Sequence, residues 1–160
     1  MKTLFFESVT NITVPVLKQY NIKCIFLDVD NTVKPHGATV PDECVSKWIN
    51  QIKEADVKII LFSNNYKKNV EPFANNICCD FVSFCLKPSP IGFIRAKIKS
   101  KEKHKNILVV GDQVFTDIFG GKILFFKTAL VNPIDEEIES KTVKLRRFLL
   151  KGITEKIKGS

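Results

Sequence analysis

Five short apolar runs, separated by polar or amphipathic segments, restrict the fold more than any other feature of this chain. They are KCIFLDV (23–29), VKIILFS (57–63), DFVSFCL (80–86), NILVVGD (106–112) and FFKTALV (125–131). Each has the length of a strand. Their nearly unbroken apolar character predicts burial on both faces, as in a parallel sheet. Parallel strands need crossover connections, and the segments between the runs read as helices. PDECVSKWINQIKEA opens with a proline and early acids, and it places Val45, Trp48, Ile49 and Ile52 on one helical face. KKNVEPFANN, IGFIRAKIKS and TDIFGGKI are the other helix candidates. The alternation predicts an α/β layered domain over residues 1–160, with no internal repeat, linker or second domain.

Composition agrees with this architecture. In 160 residues, 44% are hydrophobic and 26% charged, which suits a chain with a real core rather than a disordered one. No apolar run reaches the ~18–20 residues of a spanning helix. MKTLFF is broken at once by Glu7 and makes a poor signal peptide, so a cytoplasmic location is expected. The five cysteines are odd in number and lack C-x-x-C spacing. Adjacent Cys78 and Cys79 suggest a metal or redox pair less strongly than they suggest reduced, mostly buried thiols. The formal charge of +8 favours an anionic partner, whether phosphate, nucleic acid or membrane surface.

The polar residues just past each run carry the chemistry. The first run ends in Asp28 and Asp30, followed by Asn31 and Thr32; the second in Ser63, Asn64 and Asn65. The third leads to Lys87 and Pro88, and the fourth to Gly111 and Asp112, with Asp117 five residues on. Open α/β sheets bind ligands outside the carboxyl ends of their strands. Singly, each group has an ordinary explanation: a turn, a loop, a solvated lysine, a helix cap. Together they bring carboxylates, a hydroxyl, amides and an amine to one edge. Several carboxylates on one edge repel and call for a cation, and oxygen donors select a hard ion such as Mg²⁺. Lys87 and Ser63 are suited to phosphate oxygens. Asp28 is placed to attack phosphorus, and Asp30 to protonate the departing oxygen and then activate water.

DVDNT, the serine of the second run, KP after the third and GDQVFTD after the fourth resemble the four signature motifs of the haloacid dehalogenase (HAD) superfamily. NIKCIFLDVDNTV, FSNN, KPSPIGFIRA and GDQVFTDIFGGKILFFKTALVNPI are similar to the YqeG-type subfamily IIIA phosphatases, relatives of the phosphatidylglycerophosphate phosphatases. The likeness extends over VTNITVPVLKQYNIK and the basic tail, and so over nearly the whole chain. It implies a Rossmann-like parallel sheet of order 5-4-1-2-3 flanked by helices. It also implies a Mg²⁺-dependent phosphatase working through a phosphoaspartate. By the resemblance Asp28 is the nucleophile and a Mg²⁺ ligand, and Asp30 the acid/base that lends its backbone carbonyl to Mg²⁺. Ser63, with the Asn64 backbone, holds the transferring phosphoryl group. Lys87 stabilises the phosphoaspartate and binds substrate phosphate, Asp112 ligates Mg²⁺, and Asp117 completes or orients the metal shell. VKPHG departs from the pattern of relatives and leaves the access flap's contacts open; His36 there reads as an exposed turn residue more readily than as a substrate contact.

The spacing leaves no room for a cap domain, since one helix fills most of the chain between Val33 and the second run and again between Lys87 and the fourth. A capless site suits a large substrate, such as a lipid head group, a protein or a nucleic-acid end. By resemblance the favoured substrate is phosphatidylglycerophosphate; a nucleotide, a sugar phosphate or a macromolecular phosphate is the alternative, and a binding module without turnover a third. The tail KTVKLRRFLLKGITEKIKGS (141–160) mixes Lys141, Lys144, Arg146, Arg147, Lys151, Lys156 and Lys158 with Leu145, Phe148, Leu149, Leu150 and Ile153. Such a basic amphipathic segment either lies on an anionic membrane surface or packs on the domain. It lacks the aromatic interleaving of a nucleic-acid-binding segment. Oligomeric state is not legible.

Overall fold

A computed structural model of the chain describes residues 2–35, 37–135 and 141–159. His36 and the side chain of Lys141 lie outside the described residues. Six strands, β1 (Leu4–Phe6), β2 (Cys24–Leu27), β3 (Lys58–Phe62), β4 (Asp80–Val82), β5 (Ile107–Gly111) and β6 (Lys127–Val131), form one sheet. Its order is β1-β6-β5-β2-β3-β4, and every pairing is parallel. The five expected runs are β2 to β6, and they keep the order 5-4-1-2-3. What the sequence reading did not foresee is β1, which extends the sheet beyond β6 by pairing Leu4 with Ala129 and Phe6 with Val131.

The helices are α1 (Val14–Gln19), α2 (Glu43–Glu54), α3 (Lys67–Asn76), α4 (Pro90–Ser100), α5 (Gly120–Ile123), α6 (Lys141–Leu149) and α7 (Lys151–Lys158). In α2 the expected face is the buried one, with Val45, Trp48, Ile49 and Ile52 inside. Asp42, one residue after the opening proline, caps this helix by accepting from the Val45 amide at 2.8 Å. The segment read as a helix from Thr116 begins instead as a π-helical turn, Val114–Phe119, that runs into α5.

Alternation along the central strands builds two cores. Cys24 and Phe26 of β2, Ile60 and Phe62 of β3, and Ile107 and Val109 of β5 face one side with Phe93 and Phe126. Ile25 and Leu27, Ile59 and Leu61, and Leu108 and Val110 face the other with Leu17, Trp48, Ile49 and Phe73. Both faces of the sheet are covered, as the apolar runs require. β4 is an edge strand of three residues whose first, Asp80, is exposed and pairs with Lys99 at 2.9 Å. The cysteines depart from the expectation of burial. Cys24 and Cys85 are buried, Cys79 is half-buried, and Cys44 and Cys78 are exposed; all are free. Burial pushes the Cys24 and Cys85 thiols up to about 12, which keeps them protonated and inert.

Candidate active site

The register of β2 aligns the strand ends that matter. Leu27 stands level with Leu61 of β3 and with Val110 of β5. The next residue, Asp28, prolongs the ladder by donating its amide to the Val110 carbonyl at 2.9 Å. Asn31 then adopts a left-handed φ of 65°, which asparagine tolerates well, and the chain turns sharply over residues 31–33. This turn brings Thr32 back over the strand end, with its hydroxyl 2.9 Å from Asp28 Oδ2 and 3.1 Å from Asp112 Oδ1. A hydroxyl carries one proton, so Thr32 donates to one of the two acids at a time. Asn31 fastens the turn to the loop after β6, since its side chain exchanges two hydrogen bonds of 2.7 Å with the Asp135 backbone.

Asp28, Asp112 and Asp117 form a buried cluster in which one carboxylate oxygen of each lies within 4.8 Å of the others. Lys87 reaches in from the loop after β4. Its ammonium donates to Asp28 Oδ1 at 2.5 Å, to Asp117 Oδ1 at 2.6 Å and to the Phe62 carbonyl at 3.1 Å. The Phe62 ring lies beneath it, 5.2 Å from centroid to Nζ. The second oxygen of Asp117 accepts from the Gln113 amide at 3.3 Å and the Thr116 hydroxyl at 3.1 Å. Asp117 is thus packed inside the π-helical turn and caps no helix. It lies so close to the end of β5 that a Cβ on Gly111 would overlap its carboxyl carbon, which explains the glycine there.

Electrostatics follow from burial. Desolvation, then the Lys87 charge opposing it and the Asp117 charge reinforcing it, leaves Asp28 raised to about 6. Desolvation with the repulsion of Asp28 and Asp117 carries Asp112 up to about 7, although Arg147 and Lys87 pull the other way. Burial by itself would lower Lys87, yet Asp117 and Asp28 together hold it above the usual lysine range. The ammonium is therefore a permanent cation in the site.

Lys87 is held by its backbone as well. Asn64 Oδ1 accepts from the Lys87 amide at 2.7 Å, and Asn64 Nδ2 donates to the Lys87 carbonyl at 3.3 Å. The loop leading to it includes two non-glycine residues in left-handed conformation, Phe84 at 49° and Leu86 at 54°. Such conformations cost about 1 kcal/mol each, and the Asn64 clamp helps to offset them. Ser63, buried at the end of β3, accepts from the Asn65 amide at 3.1 Å.

Asp30 stands apart from the three-acid cluster. Its carboxylate is held between Lys34 at 2.7 Å and Asn65 Nδ2 at 2.6 Å. A cleft of about 430 Å³ opens beside it, lined by Asp30, Lys34, Gly37, Asn65, Lys68 and Asn69 among others. On the opposite flank a cleft of about 320 Å³ is lined by Asp112, Pro133, Arg147, Phe148, Lys151 and Lys158 among others. A larger cavity, about 870 Å³, lies at the other ends of the strands among Lys23, Asp56, Lys58 and Asp80, away from these acids.

All the expected site residues therefore gather at one sheet edge. Sequence reasoning missed the partners that position them: Thr32 between two acids, Lys34 and Asn65 on Asp30, and Arg147 on Asp112. For Thr32, its place in DVDNT was a usable signal. For Arg147 there was none, because the contact joins residues 35 positions apart. That contact packs the tail, at Arg147, onto the acid cluster of the domain. Arg147 donates to the Asp112 carbonyl at 2.9 Å and makes an ion pair with Asp112 Oδ2.

Residues 35–123 match the family model of the haloacid dehalogenase-like hydrolases. The chain belongs to that family. It is an enzyme of the HAD phosphatase type. It is 31% identical over 130 residues to the "Probable phosphatase YqeG" of Bacillus subtilis (strain 168), covering 81% of this chain and 76% of that one. Two solved structures share its fold. The cobalt-bound deoxy-D-mannose-octulosonate 8-phosphate phosphatase of Haemophilus influenzae aligns at TM-score 0.57 and 14% identity, over 71% of this chain and 70% of its own. An uncharacterized protein from Listeria monocytogenes serotype 4b aligns at TM-score 0.58 and 14% identity, over 74% and 85%. Among the described residues one α-helix, α2, lies between β2 and β3 and one, α4, between Lys87 and β5.

Three buried carboxylates with converging oxygens fit a hard divalent cation. Asp28, Asp112 and Asp117 are the side chains that would hold it.

Proposed function

We propose that the chain, as a single catalytic domain, hydrolyses phosphate monoesters with Mg²⁺ through a phosphoaspartate on Asp28. The observation that carries this reading is the bridge of Lys87 between Asp28 and Asp117 inside a three-carboxylate cluster. Phosphate is an anion, and so is an ionised Asp28. The attack needs positive charge on both, and Lys87 supplies a fixed part of it. Asp28, Asp112 and Asp117, with the Asp30 backbone carbonyl, would hold Mg²⁺, which would supply the rest by neutralising phosphoryl oxygens.

The chain's own groups divide the remaining work. Asp28 forms a bond to phosphorus while the ester oxygen departs with a proton from Asp30. Asp30 then takes a proton from water as its oxygen attacks phosphorus, which releases phosphate and restores Asp28. Lys34 and Asn65 aim Asp30 at the leaving group. Ser63 and the Asn64 backbone bind the transferring phosphoryl oxygens, and Thr32 bridges Asp28 to Asp112.

The favoured substrate is an anionic lipid head group, phosphatidylglycerophosphate, met at a membrane surface by a peripheral, otherwise cytoplasmic enzyme. Three features support it: the resemblance, the uncapped sheet edge, and the cations Lys151 and Lys158 with Phe148 in the cleft beside Asp112. No helix of the described residues is long and apolar enough to cross a membrane. The test is a hydrolysis panel of phosphatidylglycerophosphate in vesicles, a sugar phosphate and a nucleotide, each with Mg²⁺ and with excess chelator. Mg²⁺-dependent release of phosphate with the lipid preferred supports the whole reading. Preference for a soluble ester moves the substrate and keeps the chemistry. Full activity in chelator, or no turnover of any phosphate ester, contradicts it.

A further inference from the structure

Arg147 of the tail reaches the acid cluster, and it contacts the acid expected to ligate the cation. We propose that Arg147 and a divalent cation compete for Asp112, so that α6 is a latch closed over the acid cluster and loosened when the cation binds. This inference rests on the metal-dependent reading above.

The geometry supports competition. Asp112 is 1% exposed, with Oδ1 turned toward Thr32 and Asp28 and Oδ2 paired with Arg147. As the chain folds, three carboxylates face two side-chain cations, Lys87 and Arg147. A divalent ion among the acids either takes the oxygen that Arg147 holds or sits across the same carboxylate from it. In the first case Arg147 loses its ion pair with Oδ2 and keeps its hydrogen bond to the Asp112 carbonyl. In the second a double positive charge stands a few ångströms from the guanidinium and repels it. Both cases weaken the pair.

The packing identifies which cation yields. The Lys87 side chain is 3% exposed and has three acceptors, whereas the Arg147 side chain is 26% exposed. Lys87 sits on a loop clamped by Asn64. Arg147 sits on α6, where no described side chain is buried and Leu145, Phe148 and Leu149 are exposed. A helix with so little buried apolar surface opens at low cost. Arg146 of α6 also meets the domain, its guanidinium 5.2 Å from the Phe115 ring centre. Opening α6 would uncover the Asp112 side of the site when the cation arrives and leave the Asp30 side unchanged.

Two measurements on the full chain test this. Mg²⁺ affinity is read by titration calorimetry at low ionic strength for wild type, Arg147→Gln and Arg147→Lys. Hydrogen exchange of residues 141–158 is followed in wild type with Mg²⁺ and with chelator. The latch predicts that Arg147→Gln binds Mg²⁺ about tenfold more tightly than wild type, as expected for removing a charge-assisted pair. Arg147→Lys, which keeps the charge and loses the forked contact, falls between. It also predicts faster exchange of α6 in Mg²⁺. Equal or weaker Mg²⁺ binding by Arg147→Gln overturns the latch. So does α6 exchange that is unchanged or slowed in wild type, a result independent of how any variant folds. Absence of Mg²⁺ binding to wild type and variants alike overturns the metal-dependent reading together with the latch.

Discussion

The side chain that concentrates the most physics is Asp112. It is buried against Asp28 and Asp117, and its raised pKa of about 7, like the value of about 6 for Asp28, records the difficulty of ionising adjacent acids out of water. A carboxyl whose folded pKa lies above its unfolded value of 3.8 binds protons more tightly when folded. Its contribution to stability is complete below pH ~4 and is lost as pH rises toward 7. Without Mg²⁺, therefore, stability should fall between pH 4 and 7. Mg²⁺ should reverse the loss by favouring the ionised cluster. Asp112→Asn should flatten the profile, because the group with the larger shift no longer titrates. Thermal unfolding across that pH range, with chelator and with Mg²⁺, checks all of this. A wild-type profile that rises through the window, or an unchanged slope in Asp112→Asn, would show that the cluster does not govern it. The same crowding makes Gly111 irreplaceable at low cost. Gly111→Ala overlaps the Asp117 carboxyl, and overpacking of this kind costs about 1–3 kcal/mol. Urea denaturation should show that loss, and turnover should drop with it, because Asp117 is the partner that aligns Lys87.

At the scale of elements, the strand ends were legible and their fastenings were not. The apolar runs gave β2 to β6, and the residues after them gave Asp28, Ser63, Lys87 and Asp112, because a parallel sheet places its carboxyl ends together. β1 escaped because three residues, LFF, are too short to display a period, and its stability comes from pairing with β6. The π-helical turn around Asp117 escaped because its cause is tertiary: Asp117 is drawn toward Lys87, 30 positions away. The tail was read as either membrane-binding or packed, and the structure gives a mixed answer. Arg147 is docked in the site while Leu145, Phe148 and Leu149 remain exposed on α6. Replacing the tail's cations as a set would therefore disturb the acids too. A cleaner variant carries Lys144→Gln, Arg146→Gln and Lys151→Gln and retains Arg147. If α6 and α7 meet an anionic membrane, each cation contributes about 1 kcal/mol, and salt screens the attraction. Cosedimentation with anionic vesicles should then weaken by ~3 kcal/mol in the triple variant, with turnover of a soluble ester little changed. Wild-type protein that ignores such vesicles at low salt would assign the exposed apolar residues another role.

The molecule as a whole is a two-sided sheet that spends its rigidity on one edge. Phenylalanines 26, 62, 93 and 126 pack under that edge, with Phe62 and Phe93 rings 4.5 Å apart. The second core lies beneath Trp48 and Phe73 on the other face. Neither core donates a group to the reaction; together they fix the heights at which Asp28, Ser63, Lys87 and Asp112 emerge. The site opens beside Asp30, while Arg147 of α6 lies over its Asp112 side, and everything that accelerates the reaction must already stand on the sheet edge or arrive with the cation and the substrate. Uncatalysed phosphate-monoester hydrolysis is among the slowest of biological reactions, so removing the attacking oxygen removes nearly all of the rate. The most direct measurement is Mg²⁺-dependent turnover of an activated phosphate ester by Asp28→Asn beside wild type, with folding of both checked by circular dichroism. A folded variant whose turnover falls to background is the predicted result; turnover within tenfold of wild type would contradict a phosphoaspartate at Asp28.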